Sequence, residues 1–262
     1  MKRILYYLKI YHYILRTSLM SLLVWRASFL VWSGVHLFGL ITSIIFFKII
    51  YLHVNTIGSW TQYEVLALVG FMELTFAIGE LTFFPMCWEF GDVIRKGDLD
   101  RKLTKPLDIQ FQVSIPYCDL TDALSLVTGF VVLFYAAAHL PISLASVSIF
   151  VIMLISSMLL TYSLLILFAS LVFYTTTLEL ENMFWTFRNL GAYPVSVYKE
   201  PFRFLLTFIL PIGLMFSFPI RVLVGEIDYL IMVYILILTI FLFLLSRKVF
   251  MKSLRNYSSA SS

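Results

Sequence analysis

Six long runs of apolar residues constrain this chain more than any other feature. They cover about residues 27–48, 62–84, 115–138, 145–173, 202–219 and 228–246. A helix needs about 20 mostly apolar residues to cross the hydrocarbon of a bilayer. These runs are too long and too uniformly apolar for the strands of a membrane barrel. The sequence therefore predicts an all-α polytopic membrane protein with six transmembrane helices within residues 27–246.

Composition excludes a soluble protein. Of the 262 residues, 61% are hydrophobic and 13% are charged, whereas soluble domains are about 45–50% apolar and about 25% charged. The N-terminal residues do not indicate a cleaved signal peptide, because their basic residues are spread from Lys2 to Arg26 and do not precede one short apolar core. The chain is thus expected to keep its N-terminal segment.

The basic residues predict the orientation of the spans, since Lys and Arg concentrate on the cytoplasmic side. With six spans, 17 of the 19 Lys and Arg residues fall on one side, and the exceptions are Lys48 and Arg221. This predicts cytoplasmic termini, cytoplasmic loops at 85–114 and 174–201, and a cytoplasmic tail at 247–262.

Residues 1–26 are predicted to form an amphipathic helix that lies in the membrane interface, an "elbow" before the first span. An apolar stripe with 3- and 4-residue spacing includes Ile4, Leu8, Leu15 and Leu22. Lys2, Lys9 and Arg16 form a basic stripe beside it, suited to anionic headgroups. A simple membrane anchor would show the same pattern.

Three ionisable residues inside predicted spans stand out: His36, Glu73 and Glu80. Such residues are costly in a bilayer and are candidates for function. His36 and Glu73 are expected at similar depth on consecutive antiparallel helices, so we hypothesise that they pair within the chain or between subunits. Glu80 lies two turns along the face of Glu73. The alternatives are a structural polar contact and a role in the substrate path or in gating.

The sequence has no site of its own for catalysis or for ATP. It contains no Gly-Lys-Ser/Thr phosphate loop and no His-Glu-x-x-His metal motif. Cys87 and Cys118 match no disulfide framework or zinc spacing and are expected to be free thiols. No metal site and no nucleic-acid partner are predicted, and the energy for any transport must come from a partner protein or an ion gradient.

The loop after the second span carries the most information. Gly97-Asp98 favours a turn, and Asp98 or Asp100 can cap a short helix over 99–103. Pro106 ends or redirects that helix. The result is a short charged helix on the cytoplasmic side, which a soluble protein could recognise.

This loop resembles that of the ABC-2 type permeases, the membrane subunits of ATP-binding-cassette exporters. The shared pattern is Ile-x-x-Gly-x-Leu-Asp-x-x-Leu-x-x-Pro-Leu over residues 94–107. The likeness extends to Gly58-Ser59-Trp60-Thr61, Tyr193-Pro194, the run from Phe202 to Pro211, Phe218-Pro219 and Gly225. It therefore covers nearly the whole chain.

The resemblance implies a half-transporter that pairs with a second permease, identical or merely related, above two ATP-binding subunits that bind ATP and Mg. It implies that the loop supplies a coupling helix that docks in a cleft of the ATPase. The residues concerned are Ile94, Gly97, Asp98, Leu99, Asp100, Leu103, Lys105 and Pro106.

The resemblance also implies a re-entrant stretch at the outer end of the fifth run, which Pro211, Pro219 and Gly225 would suit. It implies a bacterial plasma membrane and export of a hydrophobic or amphipathic substrate. Two other classes stay open. One is an ion-coupled secondary transporter that uses Glu73 and Glu80, although no internal repeat supports it. The other is a non-transporting membrane scaffold or lipid-handling enzyme.

Overall fold

The computed structural model describes residues 2–175 and 179–257, with the side chains of Lys2 and Arg3 left out. Within these ranges the chain is helical and has no β-strand. The C-terminal part of the predicted tail, 258–262, and residues 176–178 of the predicted loop lie outside the described residues. The helices are α1 Lys2–Val24, α2 Arg26–Tyr51, α3 Gln62–Thr82, α4 Pro85–Arg95, α5 Asp98–Leu103, α6 Ile109–Ser114, α7 Ala123–Ala137, α8 Leu144–Val172, α9 Leu180–Gly191, α10 Phe202–Phe204, α11 Phe218–Val224 and α12 Tyr229–Ser253.

Four helical stretches among the described residues are long and apolar enough to cross a membrane. They are α2, the stretch Gln62–Arg95 that joins α3 and α4, α8, and Tyr229–Asn256. A bent pair, Phe202–Ile209 and Gly213–Val224, would make a fifth if it counts as one span. The all-helical, multi-pass fold is confirmed, while the count of six and the side of the termini stay predictions.

The third predicted span begins later than expected. We expected helix over 115–138, but α7 starts at Ala123. Residues 115–122 form a non-helical segment, in which Asp119 accepts hydrogen bonds from the N–H and hydroxyl of Thr121. Pro116 and these local side-chain bonds compete with helix formation. At 15 residues, α7 is about 22 Å long, shorter than the hydrocarbon core.

The centre of the fold is α3, which is buried along most of its length. A capping box between Thr61 and Glu64 begins the helix. Gly70 of α3 and Gly129 of α7 let the two backbones touch, because a Cβ on Gly70 would lie 2.5 Å from the backbone nitrogen of Leu133. By contrast, α2 and α12 are largely exposed, as expected for helices that face lipid.

The segment from α9 to Ser196 runs alongside α3 from one end to the other. Phe184 of α9 packs on Phe84, just beyond the C-terminal end of α3. Gly191 lies against Met72 in the middle of α3, and Ser196 lies against Gly58, just before its N-terminal end. We expected 174–201 to be a cytoplasmic loop, whereas the structure packs 180–196 against α3, part of a candidate span.

The bent pair begins and ends at the N-terminal end of α3. Phe202 packs on Tyr198, close to that end, and Arg221 lies 4.5 Å from the ring centroid of Trp60 at the same end. Between them, Phe216 reaches down to Phe76, more than halfway along α3. The second arm is bent by 72° relative to the first, so the run predicted as one span over 202–219 is not a single straight helix.

Pro211 lies in this bend, where the chain leaves one π-helical stretch and starts the next. Pro219 does not break the chain, because it occupies the first turn of α11, where a missing N–H is tolerated. Gly225 ends α11 with a φ of +95°, a conformation that favours glycine. Whether the bent pair is re-entrant in a membrane stays a prediction.

Candidate functional site

The loop expected to couple to a partner forms a compact helical turn. α4 ends at Arg95, and Gly97 turns the chain with a φ of +72°. Gly97 is also the N-cap of α5, so the expected aspartate cap is wrong: no side chain caps this helix, and Asp98 instead lies 3.3 Å from Arg101. Glycine suits position 97 because other residues are strained in the left-handed conformation.

The turn has a buried side and an exposed side. Ile94 and Leu99 are buried in the apolar core. Four other residues point outward: Arg101, Leu103, Lys105 and Pro106. Leu103 is 45% exposed, although it is the last residue of α5 and apolar. Arg101 was not among the predicted coupling residues. Those residues divide into a buried anchor (Ile94 and Leu99), a free surface (Leu103, Lys105 and Pro106) and a half-buried remainder (Gly97, Asp98 and Asp100).

Hydrogen bonds fix α5 to α6. The Gln112 amide donates to the carbonyls of Lys102 and Leu107 at 3.0 and 3.1 Å. Lys102 Nζ donates to the Gln112 carbonyl at 3.3 Å. Burial lowers the pKa of Lys102, and the charge of Lys105 acts in the same direction. The short helix is therefore held in place from within the chain.

Asp108 joins this loop to both terminal helices. Its backbone N–H donates to the hydroxyl of Tyr7 in α1 at 3.1 Å. Its carboxylate accepts hydrogen bonds from Arg247 in α12 and from the N–H of Phe111. Burial alone would raise the pKa of Asp108, but these hydrogen bonds outweigh it and leave the pKa below its ordinary value.

A charged pair lies in the middle of the helical bundle. Arg188 Nη2 of α9 donates to Glu73 Oε1 of α3 at 3.2 Å. The guanidinium also lies 5.2 Å from the ring centroid of Phe76. The side chains are 25% and 11% exposed, because both line a cavity of about 440 Å³ between α2, α3 and α9. Polar and aromatic groups of the cavity wall include Ser43, Phe47, Asn189 and Tyr193.

His36 and Glu73 do not bond to each other within the chain, so the predicted intrachain pair is wrong. The His36 ring instead contacts the buried carboxylate of Asp122, which also accepts a hydrogen bond from Ser125. The cause is the non-helical segment before α7, which places an acid beside α2. Asp122 and Arg188 were missed as partners, although an acid within a predicted span was a signal.

Glu80 lies apart from the cavity that Glu73 lines. It is 7% exposed, and among the described residues its Oε2 has no hydrogen-bond partner. Asp119, Asp122 and Arg188 are the charged groups within Coulombic range. The shared face predicted for Glu73 and Glu80 therefore does not give one shared cavity.

The N-terminal end of α3 carries a second charged cluster. Arg221 donates to both carboxylate oxygens of Glu226 at 2.9 Å, contacts Ser59 and lies over Trp60. Ser59 and Trp60 belong to the Gly58–Thr61 motif quoted above, so this part of the motif contacts α11.

The remaining candidates for reactive or metal-binding groups are the cysteines and clusters of His, Cys, Asp and Glu. Cys87 and Cys118 are buried free thiols. In the described ranges, no group of three or more His, Cys, Asp or Glu side chains could hold a metal ion.

One comparison with known proteins is informative. The family model described as "ABC-2 family transporter protein" matches residues 37–261. That range contains α3 to α12, the Gly97 turn and both charged clusters, while all of α1 precedes it. No curated protein and no solved structure is significantly similar to the chain.

Proposed function

The chain belongs to the ABC-2 family of transporter proteins, and from this premise we propose that it is the permease subunit of an ATP-driven exporter. Its apolar helices and its family make it a multi-pass membrane protein, and the family supplies the membrane component of transport and not the ATPase. Members generally work with ATP-binding subunits. The proposal adds the direction of transport, the membrane topology, a surface that docks the ATPase and a path for the substrate.

The proposed topology has six crossings and cytoplasmic termini in a bacterial plasma membrane. The crossings are α2, α3 with α4, α7, α8, the segment 180–198, and α12. The bent pair enters from the outer side and returns to it. This arrangement differs from the one drawn from charge alone, because Lys199 and Arg203 move to the outer side and Arg188 moves into the membrane. Of the 19 basic residues, 14 still lie on the cytoplasmic side.

The observation that carries the proposal is the division of α5 into a buried anchor and an exposed surface. Leu99 is fully buried, whereas Leu103 is exposed at the end of a helix fixed to α6 by two hydrogen bonds between Lys102 and Gln112. A rigid, protruding helix with one exposed apolar residue suits docking into a cleft of a partner. Two ATP-binding subunits, which hold ATP and Mg, are the proposed partners of two permeases.

The proposed substrate path includes the cavity that contains Glu73 and Arg188. Aromatic rings and a charged pair line it together, so it suits an amphipathic molecule. A second permease, the same or a related chain, would complete the path. ATP-driven closure of the ATPases would move the two permeases relative to each other and release substrate outward.

The ion-coupled alternative is less well supported. Glu73, one of its two candidate proton carriers, is already paired with Arg188. Glu80 lies outside the cavity that Glu73 lines. A scaffold without transport would need no cavity with a charged pair.

The test is co-purification of the ATPase with variants of the exposed surface of α5. Leu103→Asp and Arg101→Glu are expected to abolish co-purification and ATP-dependent transport in gently extracted native membranes. Arg255→Glu, an exposed cationic residue near the C-terminus, is the control and should bind the ATPase normally. Normal binding by both α5 variants would overturn the docking assignment. Transport by the chain alone, driven by a proton gradient, would overturn the exporter proposal.

Folding must be separated from docking. Leu99→Ala removes a fully buried side chain and should destabilise the chain by about 2–5 kcal/mol. Leu103→Asp changes an exposed residue, so its unfolding transition should match that of the unaltered chain. A Leu103→Asp variant that unfolds early would show that Leu103 supports the fold.

A further inference from the structure

A two-lobed groove opens beneath α1, beside the C-terminal ends of α3 and α12. Each lobe encloses about 530 Å³, and Tyr7, Thr82, Phe111 and Ile115 line both. We propose that this groove, named here the α1 groove, binds one glycerophospholipid of the cytoplasmic leaflet. The inference rests on the proposed membrane placement of α3 and α12 but not on the direction of transport.

The first lobe suits an acyl chain. Its remaining wall comes from Ile4, Leu8 and Tyr11 of α1, and Ile4 and Leu8 are 67% and 57% exposed. α1 therefore keeps its apolar stripe apart from the body of the protein along this stretch. Exposed apolar side chains at the membrane interface are covered by lipid tails, since burying their surface is favourable.

The second lobe adds a polar rim at one side. Phe83, Phe243 and Leu244 continue the apolar wall, and Asp108, Gln110 and Arg247 form the rim. Arg247 precedes the basic end of α12, and Phe83 follows the last residue of α3, Thr82. In the proposed topology the rim lies at the depth of the cytoplasmic headgroups. The groove thus offers apolar space for acyl tails and a polar rim at headgroup depth, which matches the arrangement of a phospholipid.

The hydrogen bonds of the rim indicate which headgroup atom it suits. The acceptors are occupied, because both Asp108 oxygens and Gln110 Oε1 accept from Arg247. Several donors lack an acceptor among the described residues. They include Nε–H and one Nη2–H of Arg247 and the hydroxyl hydrogen of Tyr7, whose oxygen accepts from Asp108. The Arg247 side chain is 40% exposed. Spare donors beside filled acceptors fit the oxygens of a phosphodiester.

The net charge of the rim predicts which lipid headgroups the α1 groove accepts. Asp108 balances the charge of Arg247, so the rim attracts the phosphate through hydrogen bonds and not through excess positive charge. Phosphatidylglycerol and phosphatidylcholine should therefore bind with similar affinity. Diacylglycerol has the same tails and no phosphate. It should bind at least tenfold more weakly, because loss of a charge-assisted hydrogen bond lowers binding affinity by a factor of about ten or more.

The experiment is native mass spectrometry of the full chain, delipidated and titrated with each of the three lipids. The unaltered chain should retain one phospholipid that Arg247→Gln and Tyr7→Phe bind about tenfold more weakly. Ile115→Phe fills the shared wall and leaves every rim group in place, so it should also lose the lipid. Lys248→Gln, at the exposed neighbour of Arg247, is the control and should bind normally.

Two results would overturn the inference. One is diacylglycerol binding as tight as that of the phospholipids, which would show an apolar gap without a phosphate site. The other is normal phospholipid binding by both Arg247→Gln and Ile115→Phe. Because Arg247→Gln leaves Asp108 unpaired, Tyr7→Phe provides a milder second variant. The assay uses no ATPase, so its failure leaves the exporter proposal standing, and loss of ATPase docking leaves the lipid site standing.

Discussion

The pair between Glu73 and Arg188 gives the sharpest test of how the bundle is held together. The perturbation is a double-mutant cycle with Glu73→Gln, Arg188→Gln and the double variant. Each single change leaves one charge without its partner inside the bundle, while the double change removes both. Glutamine has nearly the size of glutamate but is shorter than arginine. The loss of the arginine's length enters both the Arg188 variant and the double variant, so it largely cancels in the cycle and the coupling reports mainly charge.

The expected coupling follows from the geometry. At 3.2 Å, two unit charges attract by about 5 kcal/mol at an effective dielectric constant of 20. One hydrogen bond joins the pair, and the cavity exposes a quarter of Arg188, so we expect about half of this value to survive. Each single variant should lose about 3 kcal/mol of unfolding free energy. The double variant should then lose about 3–4 kcal/mol, well below the sum of the two.

The assay is reversible unfolding of the purified chain in mixed detergent, followed by circular dichroism. Glu200 and Arg203 form the control pair, with a separation of 2.8 Å and both side chains about half exposed. The same cycle there should give a coupling below about 1 kcal/mol. Additive effects at Glu73 and Arg188, or a coupling no larger than that of the control pair, would refute the assignment of a stabilising pair.

Two further predictions concern packing and pH. Gly129→Ala would place a Cβ 2.7 Å from the backbone nitrogen of Leu74, so it should force α3 from α7 and destabilise the chain by about 1–3 kcal/mol; Gly34→Ala, which meets nothing within 4 Å, should be neutral or stabilising in the same unfolding assay. The pKa of Asp108 is lowered in the folded chain, so its contribution to stability is present above its unfolded pKa of about 3.9 and is lost as pH falls through the lower folded value. Asp108→Asn should remove this acid-dependent loss from unfolding curves recorded between pH 6 and pH 2.5, and parallel curves for the two proteins would contradict the prediction.

Apolar length alone predicted the longest helices well. The fourth run was placed at 145–173, and α8 spans Leu144–Val172. Hydropathy places such runs correctly because a backbone inside a bilayer must satisfy its own hydrogen bonds, and a helix does so within one segment. The turn at Gly97 and the short helix after it also followed from local residues, whereas α4, the helix before the turn, was not predicted.

The place of the α9 segment could not be predicted in the same way. The α9 segment is short and carries Arg188, so charge counting assigned it to a cytoplasmic loop. Its charge is balanced by Glu73, which lies 115 residues earlier in the chain. The bent pair is apolar and long enough to count as one span, which is why the prediction placed its fifth crossing there. A count of charges along one chain does not show which of them are paired in space, and this is the information that the fold supplied.

The same limit explains the partners of His36. Depth alone placed His36 beside Glu73, whereas the structure pairs it with Asp122. That pairing depends on the unwound residues before α7. Helix boundaries there are set by local side-chain hydrogen bonds and not by hydropathy.

The position of Asp108 has a mechanical consequence. Its backbone is held by the first helix of the chain and its carboxylate by the last, and Gln112, one turn later, is fastened to α5. A force applied to α5 would therefore be transmitted to other helices, because no flexible loop separates α5 from Asp108. It would be transmitted at Asp108 to two helices at opposite ends of the sequence, α1 and α12, so one displacement of α5 would move both helices together.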